Sequence, residues 1–138
     1  VPNFLPDILE PNLAVVFCGI NPGFAAAESG HRFLSRSNRF WRVLYLSGFT
    51  PHQLEPENDR SILQYRYGLT TAVARPTRRA AELSHDEFTL ARTALEEKIR
   101  SFAPYAIAFL GKRIGSRRAI TSARSCRHIA VAATGPCR

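Results

Sequence analysis

The sequence predicts an α/β domain with a mostly parallel central sheet flanked by helices. Two apolar runs carry this reading, Leu13–Ile20 and Tyr105–Leu110, closed by Gly19 and Gly111. Neither run alternates, so both faces of each strand are expected to be buried, as in a parallel sheet. Between them lie segments of helical period, the last opened by a Ser84-x-x-Glu87 capping box and stopped by Pro104. Strand, helices and strand in that order read as crossover units. At 138 residues the chain is long enough for one domain with a real core.

Residues 1–12, with Pro2, Pro6 and Pro11, read as an extended lead-in. In the first strand Val15, Val16, Phe17 and Ile20 favour extended backbone. Asn21-Pro22-Gly23 then forces a turn: Pro22 fixes φ, and Gly23 permits close backbone approach or positive φ. Residues 21–37 are expected as a long loop, a length that is more often functional than accidental. Asn38 is the expected N-cap of a helix whose apolar face is Phe40, Trp41, Val43, Leu44 and Leu46, with core packing expected of the aromatics. Residues 51–56 are a connector. Residues 58–67 are expected helical with Ile62, Leu63 and Tyr65 inward, and 68–74 form a short strand or turn. The basic Arg75-Pro76-Thr77-Arg78-Arg79 is either a solvated loop or a phosphate-contacting one; the ordinary exposure of arginine favours the first. The helix after Ser84 should run to about Phe102, turning Phe88, Leu90 or Ala91, Leu95 and Ile99 inward. Residues 129–133 suggest one more short strand.

Composition narrows the class. Hydrophobic residues are 45 % and charged residues 22 %, as in ordinary soluble domains. No apolar run reaches the roughly 20 residues that span a bilayer, so no membrane association is expected. Residues 1–12 carry no basic segment followed by an apolar one, and no signal peptide is expected. Cys18, Cys126 and Cys137 are widely spaced, which supports neither zinc nor a disulfide framework. Cys18 is expected to pack as a small hydrophobe, and a reducing, cytoplasmic setting fits. The net charge is +8, unevenly placed: residues 1–97 hold 10 Lys+Arg and all 11 acids, and residues 98–138 hold 9 basic residues and no acid. A basic chain hints at nucleic acid. Here the hint rests on one end.

Three side chains could build a base-binding pocket: Asn21 at the strand end, Phe33 in Gly30-His31-Arg32-Phe33, and Asn38 at a helix start. Asn21 can donate and accept hydrogen bonds, and Phe33 can stack on a flat ring. Glu28 is the only acid between Leu13 and Pro51, so an Asp/Glu acid–base pair is not expected here. No phosphate-binding glycine motif occurs, which counts against a nucleotide-cofactor module.

Taken together, Gly19-Ile20-Asn21-Pro22-Gly23, Gly30-x-x-Phe33, Asn38-Arg39-Phe40-Trp41, Tyr65-Arg66-x-Gly68-x-Thr70 and Arg75-Pro76-Thr77 resemble the mismatch-specific uracil/thymine DNA glycosylases, the bacterial G/U mismatch-specific enzymes above all. The likeness runs from about Asp7 to Lys112. It implies the uracil-DNA-glycosylase-like α/β fold over residues 1–112, with residues 113–138 a divergent basic tail of the same domain. It implies hydrolysis of the N-glycosidic bond of uracil, or of thymine and ethenocytosine-type adducts, opposite guanine in double-stranded DNA. The base is flipped out of the duplex, with no metal or cofactor, by a monomeric, monofunctional enzyme. By position, Asn21 would hold the attacking water, and Phe33 would stack on the base. Backbone groups around Ile20, Gly23 and Phe33 would read its edge, and Asn38 would support the pocket from behind. An asparagine in place of aspartate at position 21 fits the slower, broader branch of that superfamily.

The chain departs from the family's pattern after Lys112. The Asn-Pro-Ser-Gly-Leu-Ser-Arg type of motif, which enters the duplex and contacts the opposite guanine, is absent from the sequence, and a further C-terminal helix is expected to be missing. An arginine-rich, acid-free end is what a shifted reading frame would produce; a coding sequence with no such motif in any frame would refute that. The alternative reading is a catalytically impaired, truncated member acting at most as a basic DNA-binding protein.

Overall fold

Val15–Gly19 forms the central strand, β1, and the sheet is assembled outward from it. The computed structural model describes residues 5–36, 38–110 and 128–132. In them β2 (Tyr67–Thr71) pairs with one edge of β1 and β3 (Ala106–Leu110) with the other, and β4 (His128–Ala132) pairs with β3. All pairs are parallel and the order is β2-β1-β3-β4. The parallel α/β sheet expected from the sequence is present. The chain leaves β1 toward β2 and later crosses back to β3, so the winding direction reverses between β1 and β3. In open α/β sheets ligands bind beyond the carboxyl ends of the strands at such a reversal.

Both sheet faces are covered. On one, Phe17 and Leu69 pack with Ile8, Trp41, Leu44, Leu54 and Ile62. On the other, Cys18, Ile107 and Phe109 pack with Leu95 and Ile99 of α3 (His85–Phe102). The capping box that opens α3 is made on both sides: Glu87 N–H donates to Ser84 Oγ, and Ser84 N–H donates to the Glu87 carboxylate. Of the two residues offered by the helical period, Ala91 is half-buried and Leu90 is exposed. Burial pushes the Cys18 thiol up to about 12, so it packs as a neutral hydrophobe. Among the described residues no helix is long and apolar enough to cross a membrane.

Several expectations are corrected. Residues 21–37 are not all loop, because α1 (Phe24–Ser29) forms within them. The signal was three alanines, the best helix formers, ahead of Gly30, which closes the helix in left-handed conformation with its N–H on Ala26 C=O. It was hidden because only Ala27 of the six is buried, leaving no apolar period to read. Gly23 adopts φ −77°, so positive φ is not its reason for being glycine. In α2 (Phe40–Leu46) Trp41 and Leu44 are buried, whereas Val43 and Leu46 are exposed. The expected helix at 58–67 is a 3-10 helix over Pro56–Tyr65, kinked at Asn58, and Tyr67 belongs to β2. Most of the basic tail expected at 113–138 lies outside the described residues; within it, residues 128–132 join the sheet as β4 one residue earlier than expected.

Gly68 is a glycine for lack of room. A Cβ there would lie 2.6 Å from Leu13 Cδ1 and 2.7 Å from the Ile8 carbonyl oxygen. Ile8 and Leu69 exchange two backbone hydrogen bonds of 2.9 Å at that point, so the lead-in cannot retreat without breaking them. Gly68→Ala should therefore destabilise the fold by about 1–3 kcal/mol, the usual cost of overpacking. Urea titration would show this as a lower midpoint with unchanged slope.

Candidate active site

The segment leaving β1 stays zipped to the segment leaving β2. Ala72 N–H donates to Gly19 C=O, Val73 N–H to Ile20 C=O, and Thr77 N–H to Pro22 C=O, at 2.9, 2.9 and 3.1 Å. This holds Asn21 at a defined place two residues past the strand. Its Nδ2 donates to Arg75 C=O and to Thr77 Oγ1, both at 2.8 Å. Thr77 is buried and its hydroxyl donates onward to Arg79 C=O at 2.8 Å, so Thr77 Oγ1 can only accept from Asn21. A carbonyl likewise only accepts. The amide orientation is thus dictated by its neighbours. Both Nδ2 protons are committed, and among the described residues Oδ1 has no partner.

Arg75 is itself anchored. Its Nε and Nη2 donate to the two carboxylate oxygens of Glu87, and Nη2 also reaches Glu82 C=O at 3.3 Å. Of the two readings of the 75–79 segment, the exposed Arg75 side chain fits the solvated loop, and by pairing with Glu87 it also ties that loop to α3, steadying the carbonyl that holds Asn21. The Arg75 guanidinium, then the Ser84 N–H of the capping box, draw the Glu87 carboxyl down to about 2 from its ordinary 4.5. A depressed carboxylate contributes stability above its unfolded pKa and loses it as pH falls through the folded one. The stability difference between the wild type and Glu87→Gln should therefore be at full size above pH 4.5, shrink between 4.5 and about 2, and vanish below. Chemical denaturation across that range measures it.

Asn21 opens onto a cleft of about 980 Å³. That is at the upper end of the roughly 300–1,000 Å³ typical of small-molecule sites, ample for a nucleotide. Ile20, Asn21, Gly23, Phe33 and Asn38 all line it, so the fold gathers every sequence-predicted site residue in one place. The carbonyls of Ile20 and Gly23 are engaged by Val73 N–H and Ala27 N–H. A Cβ on Gly23 would meet nothing within 4 Å, so this wall is open to close approach. Asn38 is exposed, ahead of Arg39 at the N-cap position, and its Oδ1 accepts Phe40 N–H at 2.9 Å. It orders the start of α2 from the cleft's rim and is not buried behind the pocket.

Phe33 is half-buried and has φ 55°, a left-handed conformation that costs a residue with a Cβ about 1–2 kcal/mol. Its ring lies on Phe40, centroids 4.2 Å apart and planes at 29°, with Trp41 edge-on at 6.3 Å. Beneath it Arg32 is buried, its Nη2 on Pro6 C=O and Asp7 Oδ1, and Asp7 also takes Thr70 Oγ1 and Lys98. Burial lowers the Arg32 guanidinium from its usual value, against the opposing pull of Asp7 and Asp59. Asp59, 2 % exposed, accepts Arg32 N–H at 3.0 Å.

Sequence reasoning missed the supports: Thr77, the tie of Arg75 to α3, Arg32 and Asp59. Arg75 and Thr77 lie 54 and 56 residues from Asn21, and no local pattern links such separations. A buried acid in a polar helical run leaves no signal at all. The described residues that line the cleft include no Asp, Glu, His or Cys, whereas Arg39 and Arg78 stand among them. Such a site can place a water against Asn21 Oδ1 and a flat ring against Phe33 within a positive setting. Among the described residues it offers no side chain that would act as a strong base.

Residues 6–133, most of the chain, match the family model of the uracil DNA glycosylase superfamily, and the match continues past Lys112 where the motif likeness ends. The chain belongs to that superfamily, whose members are DNA-repair hydrolases that remove uracil from DNA.

Proposed function

From that membership we propose that this chain hydrolyses the N-glycosidic bond of uracil mispaired with guanine in double-stranded DNA, and of thymine and ethenocytosine-type adducts in the same setting, working as a monofunctional monomer without metal or cofactor. The observation that supports it most is the clamped Asn21 amide in the wall of a cleft wide enough for a flipped nucleotide, its Oδ1 without a partner among the described residues. A water hydrogen-bonded to Oδ1 adds to C1′ of the sugar as the C1′–N1 electron pair leaves with the base, and once the new C1′–O bond has formed the added water sheds its proton to solvent, from which the base anion takes one up. An amide takes no proton from that water in the ground state. The barrier falls through orientation and through stabilisation of the departing base and the cationic sugar. Phe33 stacks on the base, backbone groups around Ile20 and Gly23 meet its edge, and Asn38 keeps the start of α2 in register with the cleft. Arg39 and Arg78 supply the positive field that a phosphate backbone seeks.

The test is release of free uracil from a labelled duplex holding a single G·U pair, beside A·U, G·T and single-stranded controls. Faster release from G·U than from A·U is expected. No release from any substrate with enzyme in excess rejects the activity. Salt-sensitive duplex binding without release would instead favour the DNA-binding reading of this basic chain.

A further inference from the structure

The left-handed turn that presents Phe33 needs something to hold it, and three bonds converge on the residue before it. Arg32 N–H donates to Asp59 Oδ2 at 3.0 Å. Arg32 C=O accepts Trp41 Nε1–H at 3.2 Å. Arg32 Nη2 donates to Pro6 C=O at 3.0 Å. Both peptide groups of Arg32 are therefore pinned by buried side chains from other elements. Asp59 comes from the 3-10 helix, 27 residues away, and its second oxygen lies 3.5 Å from His31 Nδ1. A carboxylate at 2 % exposure is a poor choice for packing alone, because an apolar side chain would fill the space without desolvating a charge. What an acid supplies there, and leucine could not, is an acceptor for Arg32 N–H.

We propose that Asp59 is a positioning residue for Phe33: it fixes the Arg32 peptide, and with it the turn that presents the ring to the substrate base. This rests on the reading of Phe33 as the ring that stacks on the base. The molecule also carries its own reporter. Trp41 is the single tryptophan, it holds the other side of the same residue, and its ring is edge-on to Phe33.

Two variants test it in the full chain. Asp59→Asn keeps an acceptor oxygen for Arg32 N–H and places an N–H₂ toward His31; Asp59→Ala removes the acceptor. The measurements are Trp41 emission of the free protein, single-turnover uracil release from the G·U duplex, and duplex affinity. Asp59→Asn should match the wild type in emission and keep its rate. Asp59→Ala should shift the emission and slow release about tenfold or more, the weight of a lost charged hydrogen bond, with duplex affinity unchanged. A purely structural role would lower the melting temperature but leave the emission of the folded protein and the Asn/Ala contrast unmoved. Wild-type emission and rate in Asp59→Ala would overturn the proposal, as would an Asn variant as impaired as the Ala one. Should Asp59→Ala not fold, the Asn variant alone decides: retained rate and emission support the acceptor role, and their loss refutes it. Should the wild type release no uracil, the reading of the cleft fails, and the emission comparison still decides whether Asp59 sets the turn.

Discussion

Asn21→Ala is expected to slow uracil release from a G·U duplex by about a hundredfold or more, the scale of losing the group that orients a reactant. Stability should fall by no more than about 2 kcal/mol, leaving the variant folded. The side chain is half-buried, and its two hydrogen bonds, to Arg75 C=O and Thr77 Oγ1, are each worth about 1 kcal/mol net. Thr77 keeps its bond to Arg79 C=O, and the backbone bonds that zip residues 19–22 to 72–77 do not involve the amide. The folded variant should therefore bind duplex DNA normally and fail at the chemical step. Single-turnover kinetics set beside a thermal melt separate the two effects. A variant that keeps its rate would remove Asn21 from the mechanism.

Phe109→Ala should do the reverse. Phe109 of β3 is fully buried, packed with Cys18, Ile107, Leu95 and Ile99 on the face away from the cleft. Truncating a buried phenylalanine costs about 3–5 kcal/mol, through lost transfer energy and the cavity left behind. Against a typical total of roughly 5–15 kcal/mol, this is enough to bring the domain near its unfolding threshold. At low temperature the molecules that remain folded should release uracil at the wild-type rate per folded enzyme. The urea midpoint and the active fraction, measured on one preparation, check this. The two variants together separate the sheet as scaffold from its strand end as site.

What could be read in advance follows from the range of the forces involved. Leu13–Ile20 and Tyr105–Leu110 announced themselves because a buried parallel strand needs an unbroken apolar run. Ser84 and Glu87 announced α3 because a capping box closes within four residues. The three-alanine helix α1 escaped because it buries almost nothing. Val43 and Leu46 were misplaced because helical period alone does not say how wide the buried stripe of α2 is.

By itself, the sequence determined that this is a parallel α/β domain, since strand burial and helix capping are local; that Asn21, Phe33 and Asn38 form one candidate site came from the likeness of their motifs to the family. Only the tertiary structure decided how that site is held. Arg75 and Thr77 orient the Asn21 amide from more than fifty residues away, and Asp59 pins the peptide ahead of Phe33 from inside the core. Those are single hydrogen bonds between distant points of the chain. Each depends on where the sheet brings two backbones together, and no local pattern of residues carries that information.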